Sequence, residues 1–389
     1  MKRGREENSY ENSPSPTRLR HGVVIDIALD VTVEILKKLP VKSLVRFQCV
    51  SKQWSSIIGR RRDFIDSIVA RSLTQPPRDA HVLCKHAVHR YKDCFIAFSS
   101  NTCPRNIDKV SSVLRIPGNM RQYVRGLIFC WSNKSNEAAI YNPTTRQSFY
   151  LPDTKPYDMA SCFFGYDPFE NQYKALFIPL NHMEEACKIF TLGDPTAKEW
   201  RTIQGVGYHF PMASVVSING SIHYLAWDHD DDSASKFKLM SFDLRREKFY
   251  HVEAPKTLMD HVSTLINYQG KLGFVCCEKY MEIWVMVGVE KKTKGWSRIF
   301  FYEMEGFQKW HISGATRGGE IAFVDESYLY DDYSCLLYYD PKRNSMRYVK
   351  LEGLYPDNKY YMPTIMWTVP DHVENTLALN GWSVGSGPD

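Results

Sequence analysis

The chain has 389 residues, 43% hydrophobic and 24% charged, a globular balance with length for one large or two ordinary domains. No apolar run approaches the roughly 20 residues of a membrane helix, and the polar N-terminus lacks the apolar core of a secretory signal. The net charge of +5 sits at the head: residues 1–21 carry +2 and residues 22–78 hold ten Lys/Arg against five Asp/Glu, leaving 79–389 at −2. That asymmetry points to an acidic partner for the head and argues against nucleic acid along the whole molecule.

Residues 1–21 read as a disordered tail, with Glu6-Glu7-Asn8-Ser9, then Ser13-Pro14-Ser15-Pro16, and little to bury. Lys2-Arg3-Gly4-Arg5 reads as a solvated basic tail in preference to an import signal.

Residues 26–72 predict helices. Val31, Ile35 and Leu39 recur at i, i+4 and i+8, with Leu36 widening the stripe. Asp30 is the expected N-cap, and Pro40, lacking an N–H, ends the helix. Ser43 is expected to cap a second helix and Ser51 a third, which Gly59 ends. A fourth stretch, Asp63 to Arg71, carries Phe64, Ile65, Ile68 and Val69. Gln75-Pro76-Pro77-Arg78 breaks the pattern, so 73–79 reads as a linker.

Beyond it the apolar runs are short and divided by turn residues, as in Ile222-His223-Tyr224-Leu225 and Ile283-Trp284-Val285-Met286-Val287. Aromatics make up 13% of the chain and favour pleated surfaces. A Gly ahead of an apolar strand recurs at Gly126, Gly220, Gly270 and Gly319, at intervals of 94, 50 and 49. The first interval is twice 47, and its midpoint falls at Tyr173. Asn142-Pro143, Asp243-Leu244 and Asp340-Pro341 follow three of these glycines as second turn markers. A period near 50 is that of a four-stranded propeller blade, and residues 80–370 have room for about six. The fold expected is α+β and multidomain: a small N-terminal three-helix module, then an all-β propeller-like domain, with 371–389 as a C-terminal tail.

Glu34-Ile35-Leu36, Leu39-Pro40-Val41-Lys42-Ser43-Leu44, Arg46-Phe47, Cys49-Val50-Ser51-Lys52 and Trp54 occur in order at the spacing of the F-box, and residues 22–72 resemble that module. The remainder resembles the F-box-associated domain of the large plant F-box family. It does so through Gly126-Leu127, Asn142-Pro143-Thr144, Phe164-Gly165-Tyr166-Asp167-Pro168, Tyr173-Lys174, Asn219-Gly220, Gly270-Lys271-Leu272 and Tyr338-Tyr339-Asp340-Pro341. The resemblance implies a non-catalytic, cofactor-free substrate receptor of a Skp–cullin–F-box ubiquitin ligase. The F-box would hold an acidic Skp-type adaptor and, through it, a cullin; the β domain would hold a target protein. It implies adaptor contacts from Leu29, Ile35, Leu36, Leu39, Pro40, Leu44, Val50 and Trp54. The sequence departs from the family at Ala28, where Pro is usual, and at 59–63, where no Pro precedes Phe64. A head of about 45 residues cannot hide all its apolar groups alone, so an apolar surface is expected to remain for a partner.

Other chemistries fit less well. Cys84, His86, His89, Cys94 and Cys103 are zinc-ligand types but lack a paired C-x2-C knuckle. Asp228 and Asp230 to Asp232 would need Gly and Glu where Ser233 and Leu239 stand to form a calcium loop. Cys276-Cys277 reads as a buried structural pair. The ten cysteines show no repeated spacing, which predicts reduced thiols in the cytosol or nucleus. A metal-dependent enzyme on a propeller and a nucleic-acid binder using Arg60-Arg61-Arg62 are the competing classes.

Overall fold

The computed structural model describes residues 27–76, 81–88, 92–99, 112–114, 120–132, 137–154, 160–180, 187–193, 199–205, 209–227, 237–278, 280–287, 295–302, 310–325, 334–351, 366–369 and 371–380. The tail expected over 1–21, His89, Cys103 and the Asp228 to Asp232 cluster lie outside them.

Among the described residues the head, expected as a three-helix module, has four helices, the Asp63 to Arg71 stretch forming the fourth: α1 (Leu29–Lys37), α2 (Val41–Phe47), α3 (Lys52–Arg60) and α4 (Arg62–Thr74). Ser51 caps α3 as expected, its Oγ accepting the Trp54 amide at 3.1 Å. Three local expectations give way. Helix α1 begins before Asp30, with Ala28 as N-cap, and α2 starts directly after Pro40, leaving Ser43 inside the helix. Gly59 lies within α3, buried against the C-terminal segment. Ala28 adopts φ −51°, close to what a proline there would impose, and its carbonyl accepts the Thr32 amide at 3.0 Å. Arg71 of α4 donates to the carbonyls of Lys37 and Leu39, satisfying the end of α1.

Among the described residues the β domain forms six four-stranded antiparallel sheets. The first three strands are β1 (His81–Val88), β2 (Lys92–Ser99) and β3 (Ser112–Leu114). Five complete sheets follow in chain order. They are β4 (Met120–Val124), β5 (Leu127–Ser132), β6 (Glu137–Asn142) and β7 (Gln147–Tyr150); then β8 (Ala160–Asp167), β9 (Gln172–Pro179), β10 (Cys187–Leu192) and β11 (Arg201–Ile203). Next come β12 (Phe210–Ile218), β13 (Ser221–Trp227), β14 (Phe237–Asp243) and β15 (Lys248–Val252), and β16 (Ser263–Tyr268), β17 (Lys271–Cys277), β18 (Met281–Val287) and β19 (Gly295–Tyr302). The last are β20 (Trp310–Ala315), β21 (Ile321–Asp325), β22 (Ser334–Asp340) and β23 (Ser345–Leu351). The final strand, β24 (Met366–Val369), returns to pair with β1, His81 opposite Val369. The sixth sheet is therefore closed by both ends of the domain, which ties the ring.

Neighbouring sheets are packed from both sides. Phe163 and Leu176 of one blade pack with Ile222 and Tyr224 of the next, and Ile266 and Ile283 pack with Phe323 and Tyr339. All eight residues of β8 are buried, the polar Ser161 and Asp167 among them, so burial along this strand does not alternate.

The glycine repeat marks the turn between the first and second strands of four blades. Gly126, Gly220, Gly270 and Gly319 all have positive φ, between 79° and 94°, where a Cβ would be strained. The second markers close the turn between third and fourth strands. The side-chain oxygens of Asn142, Asp243 and Asp340 each accept backbone amides two and three residues on.

Candidate functional site

The head has its own core of Val33, Leu36, Val41, Leu44, Ile57, Ile58, Phe64 and Ile68. The other side of α4 is taken by the propeller, where Ile65 and Val69 join a core with Leu127, Phe164 and Tyr173. What stays in solvent is apolar. Ile27, Leu29, Val31 and Ile35 are 47–52% exposed and Val50 62%. Val31 and Ile35, one turn apart, make an outward apolar face on α1, while Thr32, Val33 and Leu36 face inward.

The eight residues expected to contact an adaptor divide three ways. Leu29, Ile35, Pro40 and Val50 are exposed, and Leu39 and Trp54 are half-buried. Leu36 and Leu44 are fully buried in the helical core, which corrects their assignment: they hold the fold and offer no surface. Ile27 and Val31 are exposed and were not among the eight. The i, i+4, i+8 stripe of Val31, Ile35 and Leu39 was the signal, since periodicity shows that a stripe exists and not which way it points. Lys38, Lys42, Arg46 and Lys52 of the head are exposed as well.

The segment expected as a C-terminal tail is the opposite of one over 371–380. Val373, Asn375, Thr376, Leu377 and Leu379 are buried between the head and the propeller. On the head side, the Ala378 amide donates to the Gly59 carbonyl at 2.9 Å, and Glu374 N donates to Ser72 Oγ at 2.9 Å. On the propeller side, Asn142 Nδ2 donates to the carbonyls of Asn375 and Leu377, and Asn375 Nδ2 donates to Arg125 O and Tyr173 Oη. Arg317 binds the Asp371 carboxylate through Nε and Nη2 at 2.5 and 2.6 Å and donates to the Ser72 and Leu73 carbonyls of α4. Arg125 pairs with Asp66 of α4 at 3.0 Å and lies 3.9 Å over the Tyr166 ring. Burial raises the Asp66 carboxyl, against the pull of Arg125, and pushes the Tyr166 hydroxyl up to about 12. Head and propeller are thus joined by hydrogen bonds, ion pairs and shared core.

Among the described residues no group of three His, Cys, Asp or Glu is placed to hold a metal ion. His86 and Cys94 stand opposite each other in the β1–β2 register, with Cys84 opposite Ile96. Cys276 is buried and Cys277 partly so; burial raises both thiols, Cys277 to about 12.

A family model described as F-box domain matches residues 26–66, and one described as F-box associated beta propeller domain matches 84–373. An F-box protein of Arabidopsis thaliana is 49% identical over 389 residues, covering 97% of this chain and 100% of its own. A second from the same plant is 54% identical over 306 residues, covering 75% and 99%. Among solved structures, a chain of a nidogen/laminin complex matches at TM-score 0.44 and 9% identity, over 70% of this chain and 93% of that one. With helices, propeller and both domain matches in agreement, the chain belongs to the plant F-box proteins that carry an F-box-associated β-propeller domain.

Proposed function

We propose that this chain is the non-catalytic target receptor of a Skp–cullin–F-box ubiquitin ligase, working in the cytosol or nucleus. The F-box holds a Skp-type adaptor, which joins it to a cullin, and the propeller holds a protein to be ubiquitinated. One observation supports this most: the head leaves Ile27, Leu29, Val31, Ile35 and Val50 in water while its opposite side is occupied by the propeller. Apolar surface of that kind on a small helical module marks an interface. The exposed basic residues of the head favour encounter with an acidic partner.

The test is co-purification of the full chain with a Skp-type adaptor. Wild type is expected to bind, and Ile35→Asp to lose binding while melting like wild type. A folded wild-type chain that captures no adaptor would end this reading.

A further inference from the structure

The turns between first and second strands and between third and fourth strands share one end of the propeller, the end that carries the head. The head and the 371–380 segment cover the tips around Arg125 and Asn142 and touch those at Glu170 and Arg317, where Arg62 of α4 donates to Glu170 O and Arg317 binds Asp371, but leave the side chains of an arc beyond them in solvent. That arc is continuous. A Cβ at Gly220 would sit 3.1 Å from Pro168, Asn219 Nδ2 donates to Gly270 O at 3.2 Å, and Gln269 Nε2 donates to Gly318 O at 2.8 Å. Lys342 Nζ reaches Gln269 Oε1 at 3.3 Å.

The charges along it are unequal. The carboxylates are engaged: Asp243 and Asp340 accept turn amides, Glu247 is held by Arg201 and Lys174, and Glu170 reaches Lys174 at 3.3 Å. Arg246 and Arg343 lie 3.7 Å from Asp243 and Asp340. Arg245, Lys271 and Lys342 are exposed and have no carboxylate within ion-pair reach among the described residues. Beside them Phe169 is 70% exposed, with the Arg245 guanidinium 4.5 Å over its ring. A row of cations without carboxylate partners, beside one largely exposed aromatic, matches a ligand that brings carboxylates and an apolar side chain.

We infer that this arc, Phe169, Arg245, Lys271 and Lys342, docks an acidic, extended polypeptide segment of a partner protein, with an apolar residue seated on Phe169. A polypeptide fits better than nucleic acid. Arg245, Lys271 and Lys342 stand one on each of three successive blades, which matches separate carboxylates better than the continuous charge of a phosphate backbone. The surface is separate from the apolar face on α1, so the inference stands whether or not an adaptor binds there.

The experiment uses the full chain without adaptor and reads fluorescence anisotropy with three probes: a labelled peptide of Glu-Glu-Leu repeats, its Gln-Gln-Leu counterpart, and single-stranded DNA of similar length. The Glu peptide is expected to bind, and to weaken several-fold when salt rises from about 0.05 to about 0.3 M. The combined Arg245→Gln, Lys271→Gln and Lys342→Gln variant should bind it about tenfold more weakly, the loss of three exposed ion pairs. Phe169→Ser should weaken it about threefold with less change in salt dependence, a readout that general charge attraction would not give. All four substitutions are at exposed tips, and an unchanged thermal transition confirms that each variant is folded. Equal binding of the Gln peptide, unchanged binding by the triple variant, no binding of the Glu peptide, or tighter DNA binding lost in the triple variant would each overturn the inference.

Discussion

Gly59 of the F-box and Ala378 of the C-terminal segment meet at van der Waals contact: the Gly59 carbonyl accepts the Ala378 amide at 2.9 Å, and a Cβ on Gly59 would stand 2.7 Å from the Ala378 Cβ. Two opposing effects bear on Gly59→Ala. Helix propensity favours Ala by up to about 1 kcal/mol, while overpacking costs about 1–3 kcal/mol. The clash is expected to win, lowering stability by about 1–2 kcal/mol in urea denaturation. Ala378→Gly, which removes the opposing Cβ, should return much of that loss in the double variant. Independent, additive effects at the two positions would contradict the contact.

Asn375 is fully buried with every polar atom engaged, donating to Arg125 O at 2.8 Å and Tyr173 Oη at 2.9 Å and accepting from Leu377 N at 2.9 Å. Asn375→Ala leaves those groups without partners in a dry site and is expected to cost about 2–4 kcal/mol. Because the segment joins both domains, the variant should also melt in two steps where wild type melts in one. Calorimetry would show the split, and an unchanged single transition would count against the segment as the coupling element.

On the helical head, burial predicts two opposite outcomes for similar substitutions. Leu36→Asp and Leu44→Asp place a carboxylate among Val33, Ile58, Phe64 and the other apolar side chains of the head core and should prevent folding of the head. Val31→Asp and Ile35→Asp place it in water and should change stability by less than about 0.5 kcal/mol. Circular dichroism melts separate the pairs. Folded Leu44→Asp would show that the core is not as described.

His223 sits on β13 with Nδ1 buried and no hydrogen-bond partner among the described residues. Burial pushes its imidazole down to about 4. The unfolded chain takes up this proton near pH 6.5, whereas the folded chain does so only near 4. Stability should therefore fall as pH drops from 6.5 towards 4, by at most about 1.4 kcal/mol per pH unit, and level off below. His223→Gln should flatten that part of the profile, as read from urea midpoints at each pH. An identical slope in the variant would assign the effect to other groups.

Much of this architecture follows from local chemistry and could be read directly. Ser51 before a helical run caps α3 because its hydroxyl reaches an amide three residues on. The glycines at 126, 220, 270 and 319 announce the blade turns because only a residue without Cβ takes those φ values cheaply. The spacing of Val31, Ile35 and Leu39 revealed an apolar stripe on α1. Its direction was not readable, because α1 is apolar on two sides and packing alone chose Leu36 for the core and Ile35 for solvent. Residue order alone was enough to read a short helical head, three helices and a fourth helical stretch, ahead of many spaced strands, since helix caps, turns and apolar spacing act over a few residues. It took long-range packing to set β24 against β1 and to lock Asp371 to Asn380 between head and propeller. Those features rest on partners hundreds of residues apart. Polar groups such as Asn375 look like solvated tail until Arg125 and Tyr173 are brought against them.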